Sequence, residues 1–198
     1  RKGVSMLELI IVCALMSIVV GVVYSIVQAG LAFYMDANSA MEIRQDAMVG
    51  INRLSVELRQ SSMASVQVDS VSAVKAIVFA SPRDTTGAMA PTADGKMTWQ
   101  RYICYYVGPY QGAQALIRKE ETISPAQTRA PDPYGEAIPR TPAYFSTLAA
   151  SSKVIARHLY SLDMPKSVDT VEIILSCEVS TRHRHLIELR TKVIPNLL

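Results

Sequence analysis

The chain has 198 residues, a nearly balanced charge (20 Lys+Arg against 17 Asp+Glu) and a mean hydropathy of +0.19. That length allows one ordinary globular domain beside a single membrane helix. The net charge is only +3, and Arg1 and Lys2 supply two of those charges, so no broad basic surface is expected and nucleic acid is not the expected partner.

The apolar excess is local. From Leu9 to Met35 no residue is charged, and Leu9 to Val27 is almost wholly apolar. A charge-free run longer than about 18 residues reads as a transmembrane helix. No second run of that length follows, which predicts a single-pass protein. Arg1 and Lys2 precede the run, and the stretch beyond it (Asp36, Glu42, Arg44, Asp46) has no basic excess. Basic residues on the near side favour a cytoplasmic N-terminus, with the C-terminal domain outside the cytoplasmic membrane.

Helical spacing continues past the apolar run. Met41, Met48, Ile51, Leu54 and Leu58 recur on one face, with Arg44, Gln45, Asn52, Arg53, Glu57 and Arg59 between them. An amphipathic helix therefore follows directly on the apolar one. With no proline before Pro82, the two are expected to form one helix over 4–61, roughly 85 Å long at 1.5 Å per residue. Residues 4–35 would be the membrane part and 36–61 the amphipathic part. Gly21, Gly30 and Gly50 each weaken it by about 1 kcal/mol relative to Ala and are candidate bending points. Two helices broken near Gly30 are the alternative.

From 62 to 198 the period becomes that of strands. Val66 to Val74 and Ala76 to Ala80 are short, Val-rich candidates. Trp99 to Val107 and Ala115 to Glu120 form an expected pair across Gly108-Pro109-Tyr110-Gln111-Gly112. Ser124 to Pro142 holds five prolines and no periodicity, so 124–142 is expected to be a long irregular loop and a contact surface. Val154 to Met164 resumes strand spacing. Val171 to Val179 alternates apolar and polar residues, and Leu186 to Ile194 is its expected hairpin partner, each with one buried and one solvated face. The expected class is α+β, a long N-terminal helix whose amphipathic half packs on an antiparallel β-sheet domain.

Few side-chain groups suggest chemistry. Arg182-His183-Arg184-His185 lies in the expected hairpin turn, where two histidines without a third ligand make a poor zinc site and one basic turn a weak nucleic-acid footprint. Cys104 and Cys177 fall in the outer domain, where a disulfide is permitted; two buried free thiols are equally compatible with their strand positions. Tyr102, Tyr105, Tyr106 and Tyr110 read as sheet packing. His158 stands alone in an expected strand. No Gly-rich phosphate loop, Gly-x-Ser-x-Gly or His-Glu-x-x-His pattern occurs. The expectation is a protein with no catalytic residues, cofactor or metal.

The N-terminus Gly3-Val4-Ser5-Met6-Leu7-Glu8-Leu9-Ile10-Ile11-Val12 resembles the processing signal of type IV pilins and the pseudopilins of type II secretion. The resemblance implies cleavage after Gly3 by a prepilin peptidase, N-methylation of Val4 and an assembly role for Glu8, with 1–3 as the leader. Two departures narrow it. Val4 stands where phenylalanine or methionine is usual, which points away from an abundant major subunit, and the proline that many major pilins carry inside the helix is missing, which removes the expectation of their mid-helix melting. Arg44 to Gln60, Tyr102 to Tyr106 followed by Leu116-Ile117-Arg118, Val154 to Met164 and Val193-Ile194-Pro195-Asn196 look like the J-type pseudopilins and W-type minor pilins.

A carboxylate on a membrane helix costs roughly 2.5–3.5 kcal/mol at the bilayer centre and less near its edge. The cationic amine that processing would leave on Val4 could pair with Glu8 of the same helix, at i,i+4, or with Glu8 of an adjacent subunit. At about 4 Å and an effective dielectric near 20, such a pair is worth roughly 4 kcal/mol before desolvation. An interfacial glutamate that merely reaches water is the plainer alternative.

The resemblance implies a minor pilin or minor pseudopilin that helps start or cap a type IV pilus or secretion pseudopilus. Its partners would be other minor subunits, the major pilin, the prepilin peptidase and the inner-membrane assembly platform. It would sit in the bacterial inner membrane and then at the filament tip. A DNA-uptake pilus subunit, and a signal-anchored periplasmic binding domain that never polymerises, are the two alternatives.

Overall fold

The computed structural model of the chain describes residues 5–69, 75–89, 91–92, 94–148, 152–179 and 185–195. Two compact units divide it, Arg1–Met41 and Glu42–Leu198. Helix α1 spans Met6–Arg59, 54 residues, and is the long N-terminal helix expected from the apolar run and the amphipathic pattern after it. It passes Gly21 and Gly30 without interruption, and open space surrounds both positions. The two-helix alternative is therefore not adopted.

In the first unit the described part of α1 exposes nearly all of its side chains. Its internal polar groups are satisfied within the helix. Ser17 Oγ donates to the Cys13 carbonyl at 2.8 Å, Ser25 Oγ to the Val22 carbonyl at 2.8 Å, and Gln28 Nε2 to Tyr24 Oη at 3.1 Å. Such local bonds let hydroxyls and amides tolerate an apolar surrounding.

The second unit holds two antiparallel sheets. The first contains, in spatial and chain order, β1 (Gln67–Asp69), β2 (Ala76–Ser81), β3 (Trp99–Tyr110), β4 (Ala113–Gln127) and β5 (Lys153–Arg157); the second contains β6 (Leu159–Asp163), β7 (Val171–Val179) and β8 (His185–Val193). β3 and β4 meet at Gln111-Gly112, both with positive φ (49° and 83°), the conformation that a tight two-residue hairpin turn requires.

β2 and the middle of β3 are buried on both faces, which explains their near-continuous apolar character. The register places Ile77, Tyr105 and Arg118 in one cross-strand row, and Val78, Cys104 and Lys119 in the next row on the opposite face. The first of these faces receives α1, whose Ile43, Ala47, Gly50, Ile51, Leu54, Ser55 and Leu58 are buried. At Gly50 a Cβ would stand 3.0 Å from Ala156 Cβ and 3.4 Å from Leu116 Cδ2. The sequence marked Gly50 as a bending point; the structure makes it a close approach of helix to sheet.

The opposite face packs Ala76, Val78, Tyr102, Cys104, Tyr106 and Ile117 against Phe145 of a short helix, α2 (Pro142–Thr147). Thr141 caps α2, its hydroxyl accepting from the Tyr144 N–H at 3.3 Å, and Pro142 takes the first helical position. Buried Lys119 closes the other end. Its Nζ donates to the carbonyls of Phe145 (2.8 Å), Ser146 (3.3 Å) and Leu148 (2.9 Å), which would otherwise lack partners at the helix terminus.

Several expected boundaries change. Val66 to Val74 contributes only Gln67–Asp69 as a described strand, and 70–74 lie outside the described residues. Val154 to Met164 is not one strand: His158 adopts φ 56° and separates β5 from β6, so the chain leaves one sheet there and enters the other. The irregular loop is shorter than 124–142. Residues 124–127 complete β4 and Pro142 begins α2, because Thr141-Pro142 is a helix start that a count of prolines hides.

Candidate functional site

At its N-terminus α1 carries a reciprocal cap. The Ser5 backbone N–H donates to Glu8 Oε2 at 3.0 Å, and the Glu8 backbone N–H donates to Ser5 Oγ at 3.2 Å. Ser5 is the N-cap and Glu8 the third helical residue, so two amides that a helix start leaves unpaired are satisfied together. The carboxylate also faces the positive end of the helix dipole. Among the described residues Glu8 Oε1 takes no hydrogen bond. Ser-x-x-Glu ahead of an apolar run was legible as a capping box, and Ser5 is the functional residue that the sequence reading missed. Gly3 and Val4, the expected cleavage and methylation positions, lie outside the described residues.

The surface behind this cap is apolar all round. Every Leu, Ile, Val and Met from Met6 to Val27 is half or more exposed. Left in water, a continuous apolar surface of this kind is strongly unfavourable at about 25 cal/mol per Å². Length and composition suffice for one membrane crossing.

The amphipathic end of α1 docks through ions as well as apolar contacts. Glu57 Oε2 accepts from Arg118 Nε at 3.0 Å and from Tyr105 Oη at 2.9 Å. Glu120 Oε2 accepts from Arg118 Nη1 and from Arg101 Nη1, both at 2.7 Å. Arg53 Nε adds a longer contact of 3.6 Å to Glu57 Oε1. Burial opposes the Arg118 charge, but the bonds from Glu57 and Glu120 outweigh it and raise its pKa above the ordinary guanidinium range. Burial likewise opposes the Glu120 charge, and Arg118 and Arg101 outweigh it, holding the carboxyl below its ordinary value. Burial, followed by the Glu57 charge, pushes the Tyr105 hydroxyl up. Tyr102, Tyr105 and Tyr106 are all buried in the sheet, and Tyr105 is the one that also ties it to α1.

The irregular stretch 128–141 is clamped. Arg140 Nε donates to Glu121 Oε2 at 3.0 Å, and its guanidinium lies over the rings of Tyr102 (5.9 Å) and Tyr144 (5.2 Å). Tyr102 Oη donates to Glu136 Oε1 at 2.7 Å, and Gln67 Nε2 to Asp132 Oδ1 at 2.9 Å.

Cys104 and Cys177 are free and buried. Cys104 is on β3 of the first sheet and Cys177 on β7 of the second, so the disulfide that the sequence left open is not formed. Burial pushes the Cys177 thiol up to about 11, and Cys104 higher still. Of Arg182-His183-Arg184-His185, the first three lie outside the described residues and His185 opens β8. Among the described residues no three His, Cys, Asp or Glu side chains converge as a metal site would require.

Comparisons with protein-family models, with curated proteins and with solved structures find no match to this chain.

Proposed function

We propose that this chain is a minor pilin or minor pseudopilin, a non-enzymatic subunit that helps start or cap a type IV pilus or secretion pseudopilus. The observation that carries the reading is the N-terminal half of α1. An exposed apolar helix opens on a carboxylate that caps its own helix through one oxygen and, among the described residues, has no partner for the other. Such a helix fits a lipid bilayer and, equally, a bundle of like helices, since both offer apolar surroundings. A cationic N-terminus on a neighbouring helix is the natural complement of the Glu8 carboxylate. The long helix joined to an antiparallel sheet domain is compatible with a pilin-like architecture.

In this reading the prepilin peptidase cuts between Gly3 and Val4, Val4 is methylated, and the inner-membrane platform moves α1 from bilayer to filament. The sheet domain then faces other minor subunits outside the cytoplasm. The test is expression beside a prepilin peptidase and a pilin or pseudopilin set, followed by intact-mass measurement and co-purification. Loss of everything up to and including Gly3 with one added methyl on Val4, together with recovery of other subunits, is expected. A trimmed or untrimmed chain that is recovered alone identifies a membrane-anchored domain that does not polymerise and overturns the proposal.

A further inference from the structure

A second feature of the sheet domain is independent of α1 and of any filament. Where β3 begins and β4 ends, three segments surround a cleft of about 700 Å³. Ala64 comes from the 3-10 turn Met63–Ser65 and Ser62 from the N-cap position ahead of it, Lys96 and Met97 from the turn ahead of β3, and Arg129 from the chain just past β4; Trp99 lines it as well. The volume lies in the range of sites that hold a compact ligand or a few side chains. Trp99 and Met97 make the wall apolar, and Trp99 is buried at 2% exposure.

The two cations are uncommitted. Lys96 and Arg129 are exposed, and no carboxylate pairs with either ammonium or guanidinium among the described residues. The carboxylates nearest to Arg129 in sequence are engaged elsewhere: Asp132 Oδ1 accepts from Gln67 Nε2 and from the Tyr134 N–H, and Glu136 Oε1 accepts from Tyr102 Oη and Gln127 Nε2. Elsewhere in the sheet domain Arg101, Arg118 and Arg140 each hold a carboxylate. Lys96 and Arg129, over an apolar wall, therefore form no ion pair of their own among the described residues.

We infer that the Lys96–Arg129 cleft binds an acidic peptide segment of a partner protein, with carboxylates on the two cations and an adjacent apolar side chain against Met97 and Trp99. Charge complementarity selects the carboxylates, and the apolar wall selects a side chain between them. Two cations are too few to track a phosphate backbone. Exposed lining residues on three separate segments leave the cleft open, as a chain passing across it requires.

Trp99 is the only tryptophan of the chain, so its emission reports on this site. The experiment titrates the full chain in detergent with a short peptide holding a Glu-Phe-Glu core and with its Gln-Phe-Gln counterpart. Saturable change in Trp99 emission with the Glu peptide, weakened by added salt and absent with the Gln peptide, is expected. Lys96→Gln and Arg129→Gln should each weaken binding by about threefold to fivefold, as exposed charge pairs do. The double variant Lys96→Glu, Arg129→Glu should lose the Glu peptide and gain a Lys-Phe-Lys peptide, with an unchanged far-UV spectrum showing that it is folded. Equal binding of the Glu and Gln peptides, no saturable response to the Glu peptide, insensitivity to the double variant, or preference for a single-stranded oligonucleotide overturns the inference. None of these readings depends on processing, Glu8 or co-assembly, so the site and the filament role fail separately.

Discussion

Glu57 on α1 and Arg118 on β4 are joined at 3.0 Å between Oε2 and Nε, and this pair sets where the helix lies on the sheet. Arg118 retains only 3% side-chain exposure and Glu57 17%, so the pair is inside the packing and not on its rim. Apolar contacts of Leu54 and Leu58 hold the helix down but fix its axial position weakly, because neighbouring apolar residues are interchangeable. A two-pronged guanidinium bound to one carboxylate of the helix and one of its own strand has a single solution.

Removing either partner should therefore cost more than removing an exposed ion pair. Glu57→Ala leaves the Arg118 charge buried and half-answered, and Arg118→Ala leaves Glu57 and Glu120 facing each other. A loss of about 3–5 kcal/mol is expected for Arg118→Ala, and somewhat less for Glu57→Ala because Glu120 still pairs with Arg118. Glu57→Met combined with Arg118→Met should recover most of the loss, since the replacement is apolar and of similar volume. Denaturant unfolding followed by Trp99 emission measures all three. A single-site loss under 1 kcal/mol would show that the pair is not buried as described.

The same network predicts acid sensitivity. The Glu120 carboxyl is held below its ordinary value by Arg118 and Arg101 in the folded state, against an unfolded value of about 4.3. A lowered folded pKa gives stability that is fully present above the unfolded pKa and is lost as pH falls through the folded one. Stability should thus be flat from neutral pH down to about pH 5 and then decline, and Glu120→Gln should flatten the decline while lowering stability at pH 7. Denaturation midpoints between pH 3 and 7 for the two proteins decide it.

Gly50 gives a steric counterpart. Replacing an interior helical Gly by Ala ordinarily stabilises a helix by about 1 kcal/mol. Here the added methyl meets Ala156 Cβ at 3.0 Å, and overpacking of a close approach costs about 1–3 kcal/mol. The steric term should win: Gly50→Ala is expected to destabilise slightly and Gly50→Leu severely. Ala156→Gly should rescue Gly50→Ala. If Gly50→Ala alone stabilises the protein, β5 yields to the helix and the contact is not tight.

Much of this architecture was legible because it rests on period. The charge-free run and the alternation in β7 each have one geometric solution; the helical spacing marks Ile51, Leu54 and Leu58 correctly, but Met41 and Met48 are exposed and Ile43 and Ala47 take the buried face instead. Alternation in β7 is reproduced residue by residue, with Val171, Ile173, Leu175 and Cys177 buried and Glu172, Ser176 and Glu178 half-buried. Features that depend on partners distant in sequence were not legible. Nothing local distinguishes Glu57 from Arg53 or Arg59, yet only Glu57 meets the pair 48 and 61 residues away. Gly50 looked like a weak helical position until Ala156 was seen beside it. His158 looked like an ordinary strand residue, because a positive φ in a non-glycine leaves no mark on a pattern of hydropathy. Ser5 is a different case: its Ser-x-x-Glu capping signal is local and complete in the sequence.

Cap and charge make Ser5 and Glu8 separable by mutation. Ser5→Ala removes the hydroxyl that accepts from the Glu8 N–H and should cost the helix start about 1 kcal/mol, seen as faster hydrogen exchange in its first turn. Glu8→Gln keeps an oxygen that accepts from the Ser5 N–H but removes the charge; Glu8→Ala removes both. If Glu8 serves only as a cap, Glu8→Gln should behave as the unmutated chain, and Ser5→Ala should be about as harmful as Glu8→Ala. If the carboxylate answers a cationic N-terminus on a neighbouring helix, Glu8→Gln should abolish co-assembly while leaving membrane insertion and first-turn protection intact. Ser5→Ala should then only reduce incorporation, since the charge remains. Co-purification yield against first-turn exchange rate, measured across the three variants, separates the cap from the charge. We expect the yield to follow the charge and the exchange rate to follow the cap.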